Sequence, residues 1–283
     1  SELIYWFKTP QKYWLNKNNI SPKEIFIHHP DEEYVSNLQK SQLITKIIQQ
    51  VEIDNHNIID DLNELNINDQ LAENGIIMPK NSIFTKEKEI KDLLSSLSAS
   101  LSQHNKINKI YVKLNANKEE YLIADDTVIE LINAKLSLSR LTEAWIKLLF
   151  ISSLKKNIKR TKVIFRTENN YKSQIIQSPG ATESNLILEE YINIFKNYSE
   201  KCLPLPPESA YKYVEAKIKS KNEKKAFTDK WIGNKNFSKG ERDNIEMKMC
   251  FGNEKEPDFF LGNNNFDQLS YRLYGPLIKA LKK

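Results

Sequence analysis

The spacing of apolar residues changes at residue 107 and changes back at residue 138. This double switch limits the fold more than any other feature of the chain. Thr85 to Gln103 reads as a long amphipathic helix, with Ile90, Leu93, Leu94, Leu97 and Leu101 on one stripe. From Ile107 to Leu114 the period becomes two, with Ile110, Val112 and Leu114 set against Lys109, Tyr111 and Lys113, which is a strand signal. Asn115 to Asn117 predicts a turn, Tyr121 to Ala124 a partner strand and Thr127 to Ile132 a third. Leu138 to Leu154 returns to helical spacing, and Thr161 to Thr167 with Tyr171 to Ile176 reads as a hairpin.

The flanks are helical. Leu3 to Leu15 predicts a helix with an aromatic face of Leu3, Phe7 and Trp14, with Trp6 and Tyr13 beside them, kinked or split at Pro10. Residues 21–34 read as loop. Ser41 to Val51 and Asp60 to Glu73 carry helical spacing, and Gly75 closes the second as a C-cap. Ala181 to Tyr198 predicts a further helix, followed by the breakers Pro204, Pro206 and Pro207. Glu208 to Lys219, Glu223 to Gly233 and Phe266 to Lys282 complete the series, the last interrupted at Gly275-Pro276. The expected organisation is one domain over residues 1–283: a helical layer at 1–104, a core at 105–200 and a helical part at 201–283. Its class is α/β or α+β, with a small central mixed sheet and helix-rich flanks.

Composition removes several chemistries. Seven glycines in 283 residues form neither G-x-G-x-x-G nor G-x-x-x-x-G-K-[ST], so no phosphate-cradling loop for ATP or a dinucleotide is present. Cys202 and Cys250 are too few for a disulfide scaffold or an iron–sulfur cluster, which takes four thiolates, and their number fits a reducing cytoplasm. His28 and His29 are adjacent and lack the i, i+4 spacing that suits zinc, while His56 and His104 stand alone. No stretch of eighteen apolar residues or secretory leader occurs, so no membrane partner is expected. The first residue is Ser1, as expected of a piece of a longer chain.

Charge is unevenly spread. Residues 1–140 hold 16 basic and 20 acidic side chains, and residues 141–283 hold 26 and 17. Leu141 to Arg166 has seven basic residues against Glu143 alone. Such a cluster attracts phosphate by counterion release without reading sequence. Lys147, Lys155, Lys156, Lys159, Arg160, Lys162 and Arg166 are therefore the candidate backbone contacts, with Tyr171 a candidate for base stacking. The competing reading of each lysine is an ordinary solvated face.

The order of strands and helix over 107–154 has the outline of a restriction-endonuclease-like core. That chemistry needs one acid on a first strand and an acid-x-Lys pair on the next, to hold Mg²⁺ and to orient water. Ile107 to Leu114 has no acid, and none of Glu119, Glu120, Asp125, Asp126 and Glu130 has lysine two places later. The pairs at Glu89/Lys91, Glu215/Lys217, Glu223/Lys225 and Glu246/Lys248 fall in predicted helix or loop and are no more than composition supplies. No catalytic residue and no metal ligand is assigned.

Several blocks carry a family resemblance. They are Leu203-Pro204-Leu205, Ser209-Ala210-Tyr211, Lys225-Ala226, Trp231-Ile232-Gly233-Asn234, Gly240-Glu241 with Asp243, and Leu273-Tyr274-Gly275-Pro276-Leu277-Ile278. With Leu3, Phe7, Pro10 and Tyr13 at the amino end, and Gly75, Pro79 and Phe84 later, they make the chain resemble the C-terminal part of the RecC family, the gamma subunits of exodeoxyribonuclease V. The resemblance implies a nuclease-like fold without its active site. It also implies a scaffold and DNA-contact role in the RecBCD helicase–nuclease during double-strand break repair by homologous recombination. RecB, RecD and double-stranded DNA ends are the implied partners, with no cofactor. The cluster-binding cysteines of some relatives have no counterpart here.

Two other readings stay open on the residues. One is an active Mg²⁺-dependent nuclease using Asp125 or Asp126 with Lys135. The other is a pure protein–protein module presenting Tyr5, Trp6, Phe7, Tyr13 and Trp14, although a core-facing helix is the better account of that cluster.

Overall fold

A computed structural model describes residues 2–21, 44–45, 80–102, 107–114, 117–234, 238–253 and 255–281. The expected loop at 21–34, most of the helix at Ser41 to Val51, the helix at Asp60 to Glu73 with its Gly75 cap, and the blocks at Gly75 and Pro79 lie outside these residues. The described residues form two compact units. One draws on the stretches Ser1–Phe26, Ser137–Lys156 and Ile176–Lys283, the other on Ile27–Leu136 and Asn157–Ile175.

The second unit holds the sheet. Helix α3 (Lys80–Leu101; α1 and α2 are given below) is followed by β1 (Asn108–Leu114), β2 (Asn117–Ala124) and β3 (Thr127–Ile132). After helix α4 (Leu138–Leu154), which belongs to the first unit, come β4 (Arg160–Arg166) and β5 (Tyr171–Gln177). The strands lie in the order β1-β2-β3-β4-β5. β1–β2 and β2–β3 are antiparallel, whereas β3 and β4 are parallel in the register Thr127↔Arg160 to Ile132↔Phe165, so the sheet is mixed. A parallel pair needs a crossover, and α4 supplies it in the chain. The predicted stripe of α3 is buried, Ile90, Leu93, Leu94, Leu97 and Leu101 clustering with Ala124, Ile129, Ile164 and Tyr171. Each fully buried leucine there contributes about 1.5–3 kcal/mol.

In the first unit, Pro10 splits the amino-terminal helix into α1 (Glu2–Lys8) and α2 (Pro10–Lys17). Trp6, Phe7 and Tyr13 are buried, with Phe7 4.7 Å from Tyr191 and Trp6 5.7 Å from Phe195. The aromatic cluster is thus mainly interior, and Tyr5 is its one exposed member. Gln11 is fully buried and donates to the carbonyls of Leu203 (2.7 Å) and Leu205 (3.1 Å). Helices α5 (Ala181–Tyr198), α6 (Pro207–Ile218) and α7 (Glu223–Ile232) follow as predicted. Between α7 and the end of the chain stand a two-stranded ribbon, β6 (Gly233–Asn234) and β7 (Ser238–Lys239), and short helices α8 (Ile245–Phe251) and α9 (Asp258–Leu261). Cys202 and Cys250 are free, partly buried thiols.

The final helix, α10 (Phe266–Ala280), corrects one expectation: it runs through Gly275-Pro276 without a break. Buried Leu273, Tyr274, Leu277 and Ile278 hold both sides of the proline in the core, and the Tyr191 hydroxyl donates to the Leu273 carbonyl at 2.9 Å. Packing here outweighs the missing N–H of proline.

A carboxylate joins two elements in this unit. Glu241 is buried and accepts from the backbone N–H of Glu208 (2.9 Å) and Ser209 (2.7 Å) and from the Ser209 hydroxyl (2.6 Å). It thereby caps the N-terminus of α6, where unpaired N–H groups favour negative charge. Gly240 is required beside it, because a Cβ there would lie 2.2 Å from the Trp231 carbonyl oxygen.

Candidate nucleic-acid interface

The seven basic candidates divide between the two units, Lys147, Lys155 and Lys156 in the first and the other four in the second. Lys147 sits on α4 with Nζ 3.6 Å from Glu143, whose other oxygen takes Lys8 at 2.6 Å. The carboxyl of Glu143 is held below its ordinary value: half-burial opposes the shift, and the two lysines outweigh it. Lys155 and Lys156 follow the end of α4 and are exposed.

Strand β4 separates the rest. At about 3.3 Å per residue its ends lie roughly 20 Å apart. At its start, Lys159 and Arg160 flank Asp126 at 3.5 and 3.6 Å, and Arg160 Nε donates to the Thr127 hydroxyl at 2.8 Å. Asp125 and Asp126 form the two-residue turn between β2 and β3, with Asp125 at φ +53°, a conformation that Asp tolerates better than most residues. The Thr127 hydroxyl, then Arg160 and Lys159, lower the Asp126 carboxyl from its ordinary value against a desolvation penalty. Lys135 stands beyond the opposite end of β3 and pairs with Glu168 at 2.8 Å. The structure therefore does not bring Asp125 or Asp126 together with Lys135.

Two candidates are corrected. Lys162 is only 6% exposed, and its ammonium donates to the Ser100 carbonyl at 2.9 Å. That carbonyl belongs to the last turn of α3, where backbone oxygens lack helical partners and a cation is favoured. Burial, then neighbouring Arg160, lower the Lys162 ammonium from its ordinary value. Tyr171 is likewise buried, with its hydroxyl donating to Asn133 Oδ1 at 2.9 Å, and burial pushes it up to about 12. Its ring belongs to the core and is not available for stacking on a base. The physical reason is strand alternation: Lys162 shares a sheet face with Ile164, which packs with the α3 stripe.

At the far end of β4 the structure adds Lys172, which the sequence reading did not name, to Arg166 and Lys135, which it did. Arg166, Lys135 and Lys172 line a cavity of about 490 Å³ together with Phe165 and Glu168. The turn after β4 is fixed by Thr167, whose N–H donates to the Asn170 carbonyl (2.7 Å) and whose hydroxyl donates to Asn170 Oδ1 (2.6 Å). The available signal was the hairpin itself, since the turn after Arg166 brings β5, and Lys172 with it, back to this end of β4. Among the described residues no group of three acidic, imidazole or thiol side chains is placed to hold a metal ion, and no helix is long and apolar enough to cross a membrane.

The model of the RecC C-terminal domain family matches residues 1–218. That span takes in the blocks at Leu3 to Tyr13 and Leu203 to Tyr211, and leaves outside it those from Lys225 onward. No curated protein matches the chain.

Proposed function

Because this chain belongs to the RecC C-terminal domain family, we propose that it is a non-catalytic scaffold and DNA-contact part of the RecBCD helicase–nuclease, exodeoxyribonuclease V, acting in double-strand break repair by homologous recombination. Its partners on this reading are RecB, RecD and duplex DNA ends in the cytoplasm, with no cofactor of its own. The family match over most of the chain carries the proposal.

The non-catalytic half draws support from β3. An acid-x-Lys nuclease needs lysine two places after an acid on that strand, and here Glu130 is followed by Ile132, which is buried. Asp126, in the turn before β3, already balances Lys159 and Arg160. The DNA-contact half draws support from Lys155 and Lys156, which stand exposed side by side. They would neutralise backbone phosphates irrespective of sequence.

The test is reconstitution with RecB and RecD. Asp125→Ala and Asp126→Ala are expected to leave degradation of linear duplex DNA unchanged. Charge reversal at Lys155 and Lys156 is expected to weaken binding of duplex ends by about tenfold or more at low salt and to flatten its salt dependence. Cleavage by the chain alone with Mg²⁺, abolished by Asp126→Ala, would overturn the non-catalytic reading. Normal assembly with RecB and RecD, together with unchanged binding of duplex ends after the charge reversal, would leave a pure protein–protein module.

A further inference from the structure

We infer that Cys202 and Cys250 form an oxidative modification site, two thiols that a hydroperoxide converts into a reversible disulfide. Neither has a part in the proposed function, and both are only partly buried, so a small oxidant reaches them. Two joints of the first unit hold the stretches that carry them. Cys202 directly precedes Leu203, whose carbonyl accepts from Gln11 of α2 at 2.7 Å. Cys250 lies in the last turn of α8, and α8 packs against α2. The second joint is Glu241, which ties the segment just before α8 to the start of α6, a few residues after Cys202. On α8, Cys250 stands one turn after buried Met247 and on the same face, so it turns toward the body of the unit. The two thiols also act on each other. Cys250 lowers the Cys202 thiol from its ordinary value against a burial cost, and Cys202 raises that of Cys250. Mutual effects of this kind need groups within about 4–6 Å of each other. Glu246, one turn before Cys250, further disfavours a thiolate there, which leaves Cys202 as the nucleophile.

The chemistry balances with the hydroperoxide as the oxidant. The Cys202 thiolate attacks its terminal oxygen, the O–O bond breaks, and the other oxygen leaves and takes up the proton that Cys202 released. Cys202 is then a sulfenic acid. The Cys250 sulfur attacks the Cys202 sulfur, and the sulfenic hydroxyl leaves with the Cys250 proton as water. The two thiols together give up two electrons, and the hydroperoxide takes them.

The test uses the full chain, reduced, freed of reductant and treated with equimolar hydrogen peroxide. The wild type is expected to lose both free thiols together. Digestion without reductant should then yield a peptide that links Cys202 to Cys250 by mass spectrometry, and dithiothreitol should restore both thiols. Cys250→Ser is expected to stop at the sulfenic acid, trapped by dimedone at Cys202. Cys202→Ser is expected to consume peroxide about tenfold more slowly than Cys250→Ser, because the thiol it keeps is the poorer nucleophile. Closing the bond is expected to raise the thermal midpoint by several degrees, since it constrains the unfolded chain and leaves the folded groups where they stand. Separate sulfinic acids without a linked peptide, or a link only between two chains, overturn the pair. A lowered midpoint also overturns it, because the sulfurs would then have been pulled together from a distance. Faster consumption of peroxide by Cys202→Ser than by Cys250→Ser overturns the choice of nucleophile.

Discussion

Glu241 and Asp126 are both carboxylates held by several donors, yet one lies in the interior and the other at a surface turn. Around Glu241 the donors are backbone N–H groups and a hydroxyl, and the result is a fixed joint between α6 and the segment that begins at Gly240. Around Asp126 the donors include two cations, and the result is local neutralisation of Lys159 and Arg160. The interior site joins Ser209, inside the span that the family model matches, to Glu241, outside it. The interior carboxylate therefore serves as a joint, and what the chain offers to a ligand must be found by asking which charges remain uncompensated.

That contrast can be broken at several points. Gly240→Ala strikes the joint hardest, since the new Cβ would overlap the carbonyls of Trp231 and Ile232. Chemical denaturation is expected to show a loss of about 3 kcal/mol or more, with nucleic-acid affinity of the remaining folded protein unchanged. Next comes pH. Burial pushes the Glu241 carboxyl from 4.5 up to about 7, so the folded chain holds a proton that the unfolded chain releases in that interval. Stability contributed by this group is therefore present below 4.5 and lost as pH rises toward 7. Relative to Glu241→Gln, which does not titrate, the wild type is expected to lose up to about 3 kcal/mol across that range in denaturation midpoints. A flat difference between the two proteins would break the account of the joint.

Lys162→Ala tests the boundary between the two regions. It is expected to cost about 2 kcal/mol, because the Ser100 carbonyl loses its partner in the interior, while the salt slope of DNA binding stays as it was. A reduced slope would return Lys162 to the surface set. The smallest effect belongs to Asp126→Asn. It should leave stability within about 0.5 kcal/mol and strengthen DNA binding about twofold by releasing Lys159 and Arg160, as measured by anisotropy on duplex ends.

Much of the fold was legible because its elements are long and periodic. The bounds expected for α4 and α5 are those found, and the alternation from residue 107 marked β1 to β3. The ribbon β6–β7 and helices α8 and α9 were not read, being too short for a period to register. The candidate site was read less well. A run of basic residues in sequence was treated as one surface, but a strand deals its side chains to two faces and spreads them along its length. Lys162 next to Ile164 in that alternation was the clue to burial, and the short turn after Arg166 was the clue to Lys172. Lys135 was weighed against the wrong acid, since its partner arrives on that same turn.

The bonds from Gln11 to Leu203 and Leu205 span 192 and 194 positions of the chain. At ribosomal rates of about 5–20 residues per second, roughly 10–40 seconds separate the appearance of this amide from that of its acceptors. Throughout that interval Trp6 and Phe7 also await Phe195, Tyr191 and Tyr274. The segment around Gln11 is thus among the last parts to settle, and a nascent chain halted short of the Leu203–Leu205 segment would display this aromatic, adhesive stretch to whatever chaperone or neighbour it meets.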